Sequence, residues 1–335
     1  MSRYSQAHAE RAGPGDARPT ALQIIKDEGR EGTLADKVFF VTGASSGIGI
    51  ETGRALAATG GKVFLAVRDP EKGRTACQSF LEPGRVELIE LDVSKLQSVR
   101  TAVANFLQKS AQLNVLVCNA GIIQVPATRE ETEDGFEMQL ATNYLGHFLL
   151  FWLLKETLIE SSNPEFQSRL INVSSSGHHT CEIVWDDFNL EKDGAYDPAT
   201  AYSQSKLAQI YQANYVDRHF GPKGIHALSV MPGGIIETGL AKYAPKEVLE
   251  GFKQHPVLSK WLKSREQGAA TTVFAAVGKE WEGKGGKYLE DCVVAKDEPF
   301  MPNLMGIRDY TYDEAKESKT WELTLKTLGP FLGIL

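Results

Sequence analysis

The feature that most constrains this chain is Thr42-Gly43-Ala44-Ser45-Ser46-Gly47-Ile48-Gly49, which follows directly on the apolar run Val38-Phe39-Phe40-Val41. A β-rich run, a glycine turn and then a helical segment form one unit. Glycines let the backbone approach a pyrophosphate closely, and the helix N-terminus offers free N–H groups and a positive dipole end. A glycine-rich turn alone could be a plain turn. The strand–turn–helix context makes Gly43, Ser45, Ser46, Gly47, Ile48 and Gly49 a candidate nucleotide-phosphate loop.

Further β-rich runs follow at Lys62–Val67, Val86–Leu91, Asn114–Cys118, Arg169–Val173 and Ile225–Val230, with a last one between Lys287 and Val294. Helical spacing lies between them. Leu96, Val99, Val103 and Phe106 share one face, and Tyr202 to Phe220 contains neither Pro nor Gly. Strands alternating with helices imply right-handed crossovers and a parallel sheet covered on both sides. The expectation is one α/β domain of the doubly wound Rossmann type, with about seven parallel strands. Its bounds are put at residues 37–300. Residues 1–36 form a leader, loose to about residue 20 and carrying a possible short helix at Ala21–Glu31. Residues 301–335 form an extension packed on the domain.

Ligands of such sheets sit at the carboxyl ends of the strands. The second run ends in Arg68-Asp69. An acidic group at that tip favours NAD, because it accepts from both ribose hydroxyls; an arginine there can pair with a 2′-phosphate. With Arg68 first, NADP(H) is favoured over NAD; the alternative is a solvated surface charge. Asp92-Val93 ends the third run, where the carboxylate could accept from an adenine amino group. Asn119-Ala120-Gly121 ends the fourth, where small residues leave room for a flat ring. Either could also be an ordinary turn.

Tyr202 and Lys206 stand four residues apart on a segment of helical character, hence on one face. A free tyrosine titrates near ~10 and is a poor base at neutral pH. A nearby ammonium and an oxidised nicotinamide would stabilise its phenolate, so that it could exchange a proton with an alcohol oxygen. Ser175 follows the fifth run at the same sheet edge, where a hydroxyl can hold a carbonyl oxygen as charge builds. A Tyr-x-x-x-Lys spacing is common by chance; the upstream glycine loop gives it weight.

These motifs in this order resemble the short-chain dehydrogenase/reductase family over about Lys37 to Val294. The matching residues are Thr42–Gly49, Asn119-Ala-Gly121, Asn143, Ser175, Tyr202, Lys206 and Pro232-Gly233. The Thr-Gly-x-x-x-Gly-x-Gly spacing is similar to that of the simple reductases. Arg68-Asp-Pro-Glu-Lys-Gly73, Asn143-Tyr-Leu-Gly-His-Phe148 and Asn172-Val-Ser-Ser-Ser-Gly-His178 resemble the retinol dehydrogenase and WW-domain oxidoreductase branch. The resemblance implies an NADP-dependent enzyme acting on CH–OH groups, interconverting a ketone or aldehyde and an alcohol. It implies Tyr202 as general acid/base, Ser175 as the oxyanion partner, Lys206 on the nicotinamide ribose and Asn143 holding a relay water. Pro232 and Gly233 would flank the nicotinamide. Thr238 would contact the carboxamide or a phosphate, although it stands six residues after the proline where the family usually has five. Family members commonly pair through the helices carrying Asn143 and Tyr202, so a homodimer or homotetramer is expected, unless extra segments cover those faces. The resemblance also admits two other readings: a catalytically idle NADP(H)-binding sensor, or a fold-mate turned to a non-redox step.

Composition excludes several classes. Apolar residues make up 42% and charged residues 24%, and the net charge is −7, so no basic excess points to nucleic acid. The four cysteines form no Cys-x-x-Cys pair, which argues against a zinc site or a disulfide framework. No run approaches the ~20 apolar residues of a membrane span, and the polar N-terminus is not a secretory signal. A cytoplasmic location is expected, with a small carbonyl or alcohol substrate, possibly apolar, as the partner. His178 and His179 read as exposed loop histidines and His147 as a structural one. Trp185-Asp186-Asp187 could wall a substrate pocket or pack down its own loop.

Overall fold

The computed structural model describes residues 3–123, 128–240, 246–297 and 305–333. Eight strands form one sheet: β1 Val38–Thr42, β2 Lys62–Val67, β3 Val86–Glu90, β4 Val115–Cys118, β5 Ser168–Val173, β6 Ile225–Met231, β7 Lys287–Glu290 and β8 Val293–Val294. Their order is β3-β2-β1-β4-β5-β6-β7-β8. The first seven pair in parallel, and β8 returns antiparallel to β7. The single run expected over Lys287–Val294 is therefore a hairpin. It breaks at Asp291 and Cys292, whose φ angles of 51° and 58° are left-handed.

Every residue of β1 is buried, as a strand covered on both faces requires. Side chains alternate, so Val38 and Phe40 enter one core while Phe39 and Val41 enter the other. On the first side Phe40 and Phe64 meet Phe106 edge-on at 5.5 and 4.9 Å. Phe106 comes from the helix Leu96–Lys109, which buries Leu96, Val99 and Val103 as its spacing predicts. On the second side the helices Ala21–Asp27, Ile48–Ala58 and Ala270–Val277 close over the sheet.

The helix Pro198–Phe220 carries Tyr202 and Lys206. It starts where Asp197 accepts a hydrogen bond from the Thr200 amide at 2.7 Å, with Pro198 in the first turn. The C-terminal helix Glu314–Leu332 lies against it and against Gly146–Ser161. Trp321 is 5% exposed, stacks on Tyr215 at 4.2 Å and packs on Phe148 at 4.8 Å. The two helices through which family members commonly pair are thus covered by the chain's own C-terminal helix.

The N-terminal segment is not a loose tail. It forms a short helix at Ser5–Ala9, and Arg18 is 3% exposed. Arg18 pairs with Asp16 at 2.8 Å and donates to the carbonyls of Leu262 at 2.6 Å and Gly13 at 3.1 Å. The Leu262 contact spans 244 positions of sequence, so no local pattern announces it. Among the described residues, no helix is long and apolar enough to cross a membrane.

Candidate active site

The sheet order reverses at β1, between β2 and β4, and a cleft opens at the carboxyl ends of the strands there. The cleft encloses about 840 Å³. Every residue named above for the coenzyme or for catalysis lines it except Gly49 and Asn143.

The glycine loop works by backbone conformation and by closeness. Gly43 and Gly47 have φ angles of 72° and 60°, the left-handed region that disfavours side chains. Gly49 does not face the cleft. A β-carbon there would stand 2.3 Å from the Gly43 carbonyl oxygen, so this glycine lets the following helix pack on the turn. Asn119 braces the same turn, donating through Nδ2 to the Thr42 carbonyl at 2.8 Å. The Thr42 hydroxyl accepts from the amides of Asn119 and Ala120, both at 2.9 Å. It also meets His147 Nε2 at 2.9 Å, while His147 Nδ1 meets the Asn143 carbonyl at 3.0 Å. Burial pushes the His147 imidazole down to about 4, so it is neutral. His147 is structural.

At the tip of β2, Arg68 is exposed along the cleft and Asp69 is occupied otherwise. The Asp69 carboxylate caps the helix Pro70–Cys77, accepting from the amides of Glu71 at 3.0 Å and Lys72 at 3.1 Å. Lys72 adds a second cation to this end of the cleft. Its spacing from Arg68 was a signal available in the sequence. At the end of β3, Asp92 Oδ1 holds Ser94 through its amide at 3.0 Å and its hydroxyl at 2.7 Å.

Tyr202, Ser175 and Lys206 meet at the other end. Tyr202 is 8% exposed and Lys206 4%. Burial raises the Tyr202 phenol above its ordinary value, and the Ser175 hydroxyl opposes that rise by hydrogen bonding. Burial lowers the Lys206 ammonium to about 7. Its Nζ lies 5.7 Å from the Tyr202 ring and donates to the Val173 carbonyl at 2.9 Å and to Gln209 at 3.1 Å. Asn143 sits one layer behind, fully buried in a π-helical turn at Ala141–Leu145. It clamps Ile122 from both sides: Oδ1 accepts from its amide at 2.8 Å, and Nδ2 donates to its carbonyl at 3.0 Å. A β-carbon on Gly121 would stand 3.3 Å from Asn143 Oδ1 and 3.4 Å from Lys206 Nζ. Gly121 is thus the floor beneath both groups.

The loop after Pro232 folds back over the phosphate side. A β-carbon on Gly47 would meet Thr238 at 3.0 Å, so Thr238 reaches the glycine turn despite the extra residue before it.

The histidines after Ser175 are a correction. His178 and His179 are 0% and 5% exposed. His178 Nδ1 meets the Ser175 carbonyl at 2.7 Å, and His179 Nε2 meets the Gly306 carbonyl at 2.9 Å. The C-terminal segment and β7 cover them: Tyr310 donates to the His178 carbonyl at 2.9 Å, and the Tyr288 ring of β7 packs on His178 at 4.9 Å. Burial pushes His178 down to about 3. Neither Trp185 nor Asp187 lines the cleft: Trp185 packs against the core and the C-terminal helix, and Asp187 holds its own loop. Lys319 lies 4.6 Å over the Trp185 ring, and Asp187 accepts from the amides of Glu191 and Lys192 at 2.8 and 3.0 Å. Sequence reasoning also missed Gly177, which packs on Tyr202, and Arg11, Trp261 and Lys263, which line the cleft.

A doubly wound sheet with a glycine-turn cleft at its switch point defines a dinucleotide-binding type of fold. Residues 37–186 match the family model described as short chain dehydrogenase. A short-chain dehydrogenase/reductase of Penicillium roqueforti, prx1, is 56% identical over 98% of this chain and 95% of that protein. The WW domain-containing oxidoreductase of Gallus gallus is 37% identical over 83% of this chain and 66% of that protein. A crystal structure of an uncharacterised protein from Mycobacterium paratuberculosis superposes with a TM-score of 0.66 at 29% identity, covering 89% of this chain and 96% of that one. The chain belongs to the short-chain dehydrogenase/reductase family of oxidoreductases.

Proposed function

We propose that this protein is an NADP(H)-dependent oxidoreductase that interconverts a ketone or aldehyde and an alcohol, with Tyr202 as its general acid and base. The observation that carries this reading is that Ser175, Tyr202 and Lys206 line the same cleft as the Gly43–Gly47 turn and Arg68. The residues present fit a dinucleotide. Two left-handed glycines leave a cradle that side chains would fill, and Gly121 leaves a floor. Arg68 and Lys72 favour a 2′-phosphate, because the Asp69 carboxylate at that tip is bound up in helix capping. Asp92 and Val93 would border the adenine, Asn119-Ala120-Gly121 the nicotinamide side, and Pro232, Gly233 and Thr238 its far face.

When bound, NADPH would supply the hydride for the carbonyl carbon. The Ser175 hydroxyl holds the carbonyl oxygen as charge grows there. The Tyr202 hydroxyl gives that oxygen its proton, and takes one back in the direction of oxidation. Lys206 would hold the nicotinamide ribose, and its ammonium beside the Tyr202 ring lowers the cost of the phenolate. Asn143, fixed behind Gly121, orders the water through which Tyr202 is reprotonated. Apolar side chains such as Ile122, Met231, Leu240 and Phe252 suit an apolar substrate. The covered helices favour a single chain in solution over the family's usual pairing. Four free cysteines suit a reducing, cytoplasmic setting.

The test is a panel of apolar ketones, aldehydes and secondary alcohols followed by NADPH absorbance. Consumption by the wild type and its loss in Tyr202→Phe support the reading. NADPH consumption that survives Tyr202→Phe overturns the role of Tyr202, and no consumption by the wild type across the panel overturns the redox reading.

A further inference from the structure

The docked N-terminal segment delivers a cation into the catalytic cleft from 280 positions away in sequence. Arg11 lines the cleft, and its guanidinium carbon lies 3.6 Å from the centre of the Trp261 ring. Its Nη2 pairs with Asp291 Oδ2 at 3.0 Å. The other oxygen of Asp291 accepts from Lys263 Nζ at 2.7 Å and stands 3.2 Å from His8 Nδ1. Lys263 in turn donates to the Pro232 carbonyl at 3.2 Å, and its stem fills the space beside Gly233. The cluster therefore adjoins the loop at the reacting end.

The charges do not cancel. Among the described residues, Asp291 alone pairs with two basic side chains, Arg11 and Lys263. Lys263 is 5% exposed, with Asp291 on one side and the Pro232 carbonyl on the other. Arg11 is not satisfied in this way. Among the described residues, only its Nη2 has partners, Asp291 and the Met305 sulfur. The Nε and Nη1 donors of a planar fork remain, in a cleft otherwise walled here by Trp261, Leu262 and Met305. A cation held partly away from water by apolar walls gains most from an acceptor that a ligand brings. Stacking on Trp261 and the bond to Asp291 fix the fork in place beforehand, which reduces the entropy lost on binding.

We propose that Arg11 is the specificity-determining residue of the substrate half of the cleft, and that the substrate carries an oxygen acceptor, strongest as a carboxylate, remote from its reacting carbonyl on an otherwise apolar skeleton. This deepens the oxidoreductase reading and rests on it for the identity of the reacting group. Apolar walls alone would bind any hydrocarbon ketone of the right size. The arginine adds orientation, because a carboxylate held at Arg11 sets which end of the skeleton reaches Tyr202.

The test uses two matched probes, β-tetralone and a β-tetralone with a carboxylate on its aromatic ring. Binding of each to the protein without coenzyme is measured by calorimetry, and reduction by NADPH absorbance. The wild type is expected to favour the carboxylate by about 10- to 100-fold in Kd and in kcat/KM, the range of a charge-assisted pair. Arg11→Leu should bring that ratio close to one, and Arg11→Lys should restore part of it. The variants' thermal unfolding shows whether the segment is still docked. Arg18→Met removes the latch while keeping the Arg11 side chain in the sequence, and should lower the ratio by freeing the segment that carries it. No preference in the wild type, a preference that survives Arg11→Leu, or no binding of either probe overturns the proposal. An Arg11-dependent preference in calorimetry with no NADPH consumption upholds it and counts against the redox reading. Equal reduction of both probes does the reverse.

Discussion

Gly177 lies against the ring of Tyr202 so closely that a β-carbon at position 177 would stand 2.7 Å from the tyrosine Cε1 and 2.9 Å from its Cδ1. The glycine belongs to the turn that Ser175 opens, and its amide donates to the Ser175 hydroxyl at 3.0 Å. One backbone turn thus sets both the serine and the room that the tyrosine occupies. Helix spacing places Tyr202 and Lys206 on one face, but the ring position is fixed from outside the helix.

Gly177→Ala should therefore damage chemistry more than binding. The ring must move, and shifts of about 1 Å at a reacting group can cost on the order of 100-fold in rate. A fall in kcat of about 10- to 100-fold with an unchanged coenzyme Kd is expected from steady-state kinetics and fluorescence titration. A wild-type kcat would show that the ring accommodates the methyl without consequence.

Removing the phenolic oxygen is the sharper change. Tyr202→Phe keeps the packing and deletes the group proposed to move the proton. Turnover should fall by ~10²–10⁴-fold, the usual worth of an acid/base, while the coenzyme still binds. Ser175→Ala should lower kcat with little effect on coenzyme binding. Lys206→Ala should weaken both, since it serves the ribose and the tyrosine together. Three variants with equal losses in coenzyme binding would refute this division of labour.

Much of this site was legible because its parts are local. The Gly43–Gly49 turn, the run Asn119–Gly121, Ser175 and the Tyr202–Lys206 spacing each lie within a few residues of a strand end, and strand ends converge at the switch point. The strand runs were legible because parallel strands buried on both faces read as continuous apolar stretches. What sequence could not supply is non-local. His178 and His179 lie in a polar loop and look exposed; Tyr310 and Gly306, more than 120 positions later, bury them. Arg11 and Arg18 lie in a segment of small and charged residues, and only its docking on Leu262 and Asp291 gives them a place. The hairpin at Asp291-Cys292 was hidden because neither residue is a glycine, although both adopt left-handed conformations.

Coenzyme choice should follow Arg68. The Asp69 carboxylate at this tip is held by the amides of Glu71 and Lys72 rather than left open for the ribose hydroxyls. Arg68→Ala should lower the preference for NADPH over NADH by about 10-fold or more, and Lys72→Ala should lower it further in combination. Titrations of both coenzymes against the three proteins measure this. Equal affinities in the wild type would rule out the assignment.

The mass in solution should be that of one chain. The C-terminal helix buries Trp321 and ties Thr324 to Tyr144 at 2.8 Å, so pairing through the helices beneath requires its displacement. Light scattering at micromolar protein checks this. Trp321→Ala, which empties a buried aromatic site at a cost of about 3–5 kcal/mol, should loosen the helix and promote association. A wild-type dimer would place the interface elsewhere or show that the helix exchanges.

Stability should fall in acid earlier than carboxylates alone dictate. His147 and His178 are buried, and burial holds them near 4 and near 3, against an ordinary value of about 6.5. Between the folded and unfolded values, the unfolded chain binds more protons than the folded one. Unfolding free energy therefore drops as pH falls below about 6.5, until each histidine can charge in place. Each depressed imidazole contributes up to about 3 kcal/mol by pH 4, so the pair accounts for a loss on the order of 6 kcal/mol. Urea unfolding at pH 7.5, 6, 5 and 4, roughly spanning that window, measures the slope. His147→Gln, which keeps an amide donor toward the Asn143 carbonyl, should flatten the slope below pH 6.5 even if it lowers stability at pH 7.5. A slope unchanged by that substitution would mean that His147 titrates alike in both states, and that its burial by the core around Thr42 is not what keeps it neutral.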